Sequence, residues 1–119
     1  MLYSIMEDIK EILIDNAKEY YRNALSAEIK QEFNSAVTLF FKTISALCDI
    51  YILIKEKRIP SNHSERFKIL ELKYPEIYKI IDSVFPFYQE SYRAKLNKEI
   101  SWRFKEDAKR LFKILNINI

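Results

Sequence analysis

The stretch that decides the fold runs Phe33-Asn34-Ser35-Ala36-Val37-Thr38-Leu39-Phe40-Phe41-Lys42-Thr43-Ile44-Ser45-Ala46-Leu47-Cys48-Asp49-Ile50-Tyr51-Ile52-Leu53-Ile54. Within it Phe33, Val37, Phe40, Ile44, Leu47, Tyr51 and Ile54 recur in strict four-three spacing, which lines one face of an α-helix over three heptads. Leu39, Ala46, Ile50 and Leu53 add a second apolar stripe beside the first. A helix with two such stripes has no wet half. It is expected to be the central helix of a bundle, or the helix that also meets a partner chain.

Upstream, Met6, Ile9, Leu13, Ala17, Tyr20 and Ala24 step by three or four and predict a helix over residues 3–24. Acidic Glu7, Asp8 and Glu11 suit the positive end of its dipole, and Ser26 is the expected N-cap of the long helix that follows. Downstream, the charged stretch from Lys55 ends in Ile59-Pro60-Ser61-Asn62, where a proline and two capping residues stop one helix and start another. Asn62 with Glu65 resembles a capping box, and a short helix is predicted to about Lys73. Pro75 suits the first turn of a further helix whose inner side is Ile77, Ile81, Val84, Tyr88 and Tyr92, with Pro86 expected to kink it. Asn97 caps a last helix with Phe104, Ala108, Leu111 and Leu115 inward, and the tail Asn116 to Ile119 is expected to fray. No segment alternates as a strand does, so the fold class expected is all-α, one helical-bundle domain over residues 1–119.

A chain of 119 residues, 49% of them hydrophobic, can close one core without cofactor or disulfide. The complete lack of glycine excludes phosphate-cradling loops and dinucleotide-binding turns, which need positive φ or close backbone approach. One cysteine and one histidine cannot build a structural zinc site or an internal disulfide, so no metal and no cofactor is expected, and a reducing cytoplasm fits. No apolar run approaches about 18 uninterrupted residues and no signal-peptide pattern opens the chain, so no membrane association is expected. The enrichment in Ile, Lys and Glu often goes with life at high temperature, though the base composition of a genome produces it too.

Charge is unevenly placed. Residues 1–34 carry seven acidic and four basic side chains, whereas residues 93–113 carry eight basic and three acidic. Arg93, Lys98, Arg103, Lys109 and Arg110 are therefore candidates for holding phosphates, with Tyr88, Tyr92, Trp102 and Phe104 nearby as stacking surfaces. The same pattern is also that of an ordinary amphipathic helix, and a net charge of +3 is small for a dedicated nucleic-acid binder. His63, at a helix start among polar neighbours, is the one side chain that titrates near neutrality unperturbed; it is a candidate acid or base, or simply an end-of-helix histidine. Cys48 lies among the apolar stripes and reads as a small buried hydrophobe.

Taken in order, the long helix through Ser35-Ala36-Val37-Thr38-Leu39-Phe40-Phe41-Lys42-Thr43-Ile44, the loop with Pro60, His63-Ser64-Glu65-Arg66-Phe67, the segment Tyr88 to Arg93 and a final basic helix resemble the HEPN (higher eukaryotes and prokaryotes nucleotide-binding) family over most of the chain. The resemblance implies an up-and-down bundle of four or five helices, commonly a homodimer and often encoded with a small nucleotidyltransferase as toxin and antitoxin. Many members are metal-independent ribonucleases with an arginine, four to six intervening residues and a histidine near the dimer interface. Arg93 matches that arginine, but Lys98, Glu99 and Ile100 stand where the histidine belongs, and His63 precedes Arg93 by 30 residues. The expectation is accordingly a non-catalytic, dimeric binding or regulatory module for nucleotide, RNA or a nucleotidyltransferase partner. The alternatives are a metal-independent ribonuclease in which His63, Glu99 or Tyr92 assists Arg93, and a structural bundle that docks another chain on Phe40, Ile44, Leu47 and Tyr51 of the long helix.

Overall fold

In a computed structural model that describes all 119 residues, the chain forms five helices and no strand: α1 (Leu2–Ile29), α2 (Phe33–Glu56), α3 (His63–Lys73), α4 (Pro75–Glu90) and α5 (Lys98–Ile114). α2 is the axis of the bundle, and every other helix packs on it. Most of both apolar stripes is buried, from Val37 to Leu53, while Phe33, Leu39 and Tyr51 are partly covered and Ile54 is exposed. By length and composition alone α2 could cross a bilayer, but most of it is buried under the other helices, which accounts for its apolarity.

α1 runs back along α2 as an antiparallel hairpin and presents Ala17, Ala24 and Ala27 to it. These small side chains let the two backbones approach closely. Tyr21, the one large residue among them, meets Phe40 at 5.8 Å and the edge of Phe112 at 5.4 Å, tying α1, α2 and α5 into one core. The same alanine face explains a correction at Ser26. That residue does not cap α2; it is exposed inside α1, because Ala24 and Ala27 continue the buried face past it. Helix α1 stops instead at Gln31, whose φ of 62° turns the chain left-handed. Glu32 N–H then reaches Ala27 O at 2.9 Å and Gln31 N–H reaches Glu28 O at 3.0 Å, which closes the last carbonyls.

The C-terminus repeats this closure. Asn116 has φ 58°, Ile117 N–H donates to Phe112 O at 2.9 Å, and Ile117 packs on the core, so the tail is tied down through residue 117 rather than frayed from 116. With no glycine in the chain, Gln31, Lys57 and Asn116 occupy the left-handed positions at a cost of roughly 1–2 kcal/mol each.

The expected caps form at Asn62 and Asn97, whose side chains accept from Glu65 N–H at 2.9 Å and Ile100 N–H at 3.0 Å. Pro75 opens α4, and α4 continues through Pro86 to Glu90. The stripe named for partner docking is taken up at home: Phe40, Ile44 and Leu47 are fully buried in the chain's own core, and Tyr51 is half-buried edge-on against Tyr74 at 5.3 Å.

Asn34, in the first turn of α2, holds the connection from α4 to α5. Its amide nitrogen donates to Ser91 O (2.9 Å) and Ala94 O (2.7 Å), and its carbonyl oxygen accepts from Leu96 N–H (2.9 Å). Three bonds from one side chain fix where α5 begins. Asn34→Ala is expected to lower stability by about 2 kcal/mol and Asn34→Asp by at least as much, since the aspartate keeps the acceptor for Leu96 but sets a carboxylate oxygen against the Ser91 and Ala94 carbonyls; thermal denaturation followed by circular dichroism checks both.

Candidate functional site

Polar residues on the central helix are few, and three of them share a line. Lys42, Ser45 and Asp49 stand at i, i+3 and i+7, so one polar stripe runs along an otherwise apolar α2. α1 sets Leu13, Asn16 and Tyr20 against it, and the start of α3 brings His63. Together with Phe41 and Tyr88 these residues line a hollow of about 300 Å³.

Two of its lining residues, Asp49 and His63, belong to one cluster joined by Arg66. Arg66 donates from Nε to Asp49 Oδ1 at 2.7 Å and from Nη2 to Asp49 Oδ2 at 3.0 Å, a two-pronged contact between side chains that are almost fully buried. Its remaining nitrogen, Nη1, lies 2.6 Å from His63 Nδ1. A guanidinium only donates, so Nδ1 accepts and the imidazole proton sits on Nε2. Burial and then the Arg66 charge hold the His63 pKa below its usual range, against the opposing pull of Asp49. His63 is thus a neutral ring with its lone pair engaged and its N–H free. Phe41 and Phe85 keep it in place, at 5.8 and 6.2 Å between ring centres.

The walls add further donors. Ser45 Oγ is the one buried side-chain polar atom without a hydrogen-bond partner. Lys42 lies 5.6 Å over the Tyr20 ring and has no carboxylate partner, whereas Asp49 is neutralised by Arg66. Tyr88 stacks on Phe41 at 4.1 Å and bonds Tyr92 through the hydroxyls at 3.0 Å; that bond, more than burial, pushes the Tyr88 phenol up to about 12. The hollow therefore offers one unpaired cation, several donors and a flat aromatic wall, which is the chemistry that holds a phosphate beside a stacked ring. Nothing in its make-up resembles a metal centre, since no group of three His, Cys, Asp or Glu side chains converges anywhere in the chain.

The arginine beside the histidine is Arg66 and not Arg93. Arg93 projects into solvent with 79% of its side chain exposed, and its ion-pair partner is Glu90 at 3.7 Å. The other basic candidates are spread along α5. Lys98 is exposed at its start, Arg103 covers the Phe87 ring at 5.5 Å, Lys109 pairs with Glu106 at 3.2 Å, and Arg110 lies 3.8 Å from Asp107. Arg103 and Arg110 line a second, larger cleft of about 560 Å³ between α4 and α5, which also contains Trp102 and the buried carboxyl of Asp107. Cys48 is fully buried and its thiol is pushed far up by that burial, so it is not a nucleophile. Lys42, Ser45, Asp49 and Arg66 were absent from the sequence candidates; the signal that points to the first three is the polar i, i+3, i+7 line within an apolar helix.

Comparison of the chain with protein-family models, curated proteins and solved structures returns no match.

The His63 ring can be followed directly. Its titration midpoint, read from imidazole proton shifts, is expected below the ordinary 6.5, and Asp49→Asn should lower it further by leaving Arg66 unopposed. Because the unfolded chain takes up this proton before the native one does, the contribution of His63 to stability is present above about pH 6.5 and is lost as pH falls through its native midpoint. A midpoint at or above 6.5 would contradict the arrangement.

Proposed function

We propose that this chain is a HEPN-like, non-catalytic binding module that works as a homodimer in the cytoplasm and takes a nucleotide or a phosphorylated RNA end into the hollow between α1, α2 and α3. A regulatory role beside a nucleotidyltransferase-type partner, in the manner of a toxin–antitoxin pair, fits such a module. The reading is carried by one observation: His63 Nδ1 accepts from Arg66, which is itself locked on Asp49. A histidine held in this way presents a donor to its ligand. A general base for a ribose 2′-hydroxyl would have to present a lone pair. Lys42, Asn16 and Ser45 add donors around the same space, and Tyr88, backed by the buried Phe41, offers the aromatic wall. The ribonuclease alternative draws its arginine from Arg93, which stands exposed outside this hollow.

Calorimetric titration with nucleoside monophosphates and with 5′-phosphorylated oligoribonucleotides tests the reading. Lys42→Ala and His63→Ala should each weaken binding by roughly ten- to a hundredfold, the worth of one charge-assisted or buried hydrogen bond, and added salt should weaken the wild type. Arg93→Ala should bind as the wild type does, and the RNA should stay intact throughout. RNA cleavage that depends on Arg93 would overturn the proposal.

A further inference from the structure

α4 and α5 both rest on α2 and leave between them the cleft of about 560 Å³, which shares no residue with the hollow. Its lining is strongly polar and balanced, with three carboxylates and three cations among ten residues. These charges do not cancel across the cleft. The ion pairs stay on α5, where Glu106 turns to Lys109 at 3.2 Å and Arg110 to Asp107 at 3.8 Å. Glu76 and Lys79 on α4, and Arg103 on α5, have no partner of opposite charge.

Asp107 is the least satisfied of the six. Its side chain is only 10% exposed and makes no hydrogen bond, and Arg110, the one cation within ion-pair distance, has 62% of its own side chain in solvent. Burial pushes the Asp107 carboxyl above its usual range, and the charges of Arg110 and Arg103 offset this only in part. Arg103 stands one turn earlier on α5, in reach of Asp107, yet its guanidinium covers the Phe87 ring at 5.5 Å. A carboxylate buried without a donor is costly, and this one lines an open cleft, so the missing donor can come from a ligand.

The balance of charge selects that ligand. A plain anion would meet the three carboxylates and a plain cation the three basic groups, whereas a molecule carrying both charges matches both. Residues four apart on a helix have Cβ atoms about 6 Å apart, so the ammonium and carboxylate of a single α-carbon can reach Asp107 and Arg103 together. Beside them Trp102, 57% exposed, offers a ring face next to Ile80 and Ile114.

We propose that the α4–α5 cleft is a second binding site, for a free α-amino acid with an aromatic side chain. The ammonium group donates to Asp107, the carboxylate lies against Arg103 and Lys79, and the ring packs on Trp102. The site goes beyond the nucleotide reading of the hollow and does not depend on it. Arg103 is then a carboxylate ligand rather than a phosphate ligand.

Trp102 is the only tryptophan in the chain, so its fluorescence reports on the cleft directly. L-Phenylalanine should change that emission saturably below about 10 mM. Nα-Acetyl-L-phenylalanine, which lacks the ammonium, and L-phenylalanine methyl ester, which lacks the carboxylate, should each bind the wild type at least about tenfold more weakly. Asp107→Asn and Arg103→Gln should weaken phenylalanine binding by a similar factor, with unchanged circular dichroism and unchanged nucleotide titration. Arg103 is exposed, so Arg103→Gln and the two blocked derivatives decide the matter even if Asp107→Asn fails to fold. Absence of a saturable change up to about 10 mM sinks the site. So does a blocked derivative that binds as tightly as phenylalanine, or an Arg103→Gln variant that binds phenylalanine as the wild type does.

Discussion

The whole molecule depends on the burial of α2. A helix this apolar must bury most of its surface, and four other helices pack on it, with the fully buried Phe40, Ile44 and Leu47 giving their volume to a single core. Burial on that scale leaves little tolerance for charge. The one carboxylate in the middle of α2, Asp49, is met by Arg66 from α3 in a two-pronged contact, and removing one partner from such a pair is costly since the other is left largely buried and unpaired. The position of α3, and with it that of His63, is thus fixed by a demand of the core.

Most of the architecture was legible because it rests on periodicity and capping. The four-three spacing from Phe33 to Ile54 announced a core helix, and Asn62, Pro75 and Asn97 marked helix starts that the structure contains. Ser26 misled because a serine on the wet side of a helix looks like a cap when only its neighbours in sequence are considered; what ends α1 is a left-handed Gln31, and in a chain without glycine that turn has no compositional mark. The assignment of Phe40, Ile44, Leu47 and Tyr51 to a partner failed for a related reason. A periodic stripe shows that a face must be buried, but not whether the covering surface comes from the same chain.

The site was legible in its histidine and illegible in its partners. His63 stood out as the only one of its kind, and its neighbour Arg66 lay in the same quoted segment, yet the contact that determines its chemistry runs to Asp49, 17 residues before Arg66 and on another helix. Spacing along one helix cannot report such a pairing. Arg93 was favoured by resemblance to a motif whose second half is missing, and the structure leaves it exposed next to Glu90.

The same ion pair decides what the histidine can do. If Asp49 faced His63 directly, the carboxylate would hold a proton on the ring nitrogen nearest it, raise the pKa and leave the far nitrogen as a base, the arrangement that hydrolytic triads use. With Arg66 interposed each of these effects reverses: the near nitrogen accepts, the proton moves to the far one, and the positive charge adds to burial in lowering the pKa. One guanidinium between a carboxylate and an imidazole converts a potential base into a fixed donor. That reversal, together with the unpaired Lys42 and the partnerless Ser45 hydroxyl, favours a hollow that holds an anion over one that breaks a bond beside it.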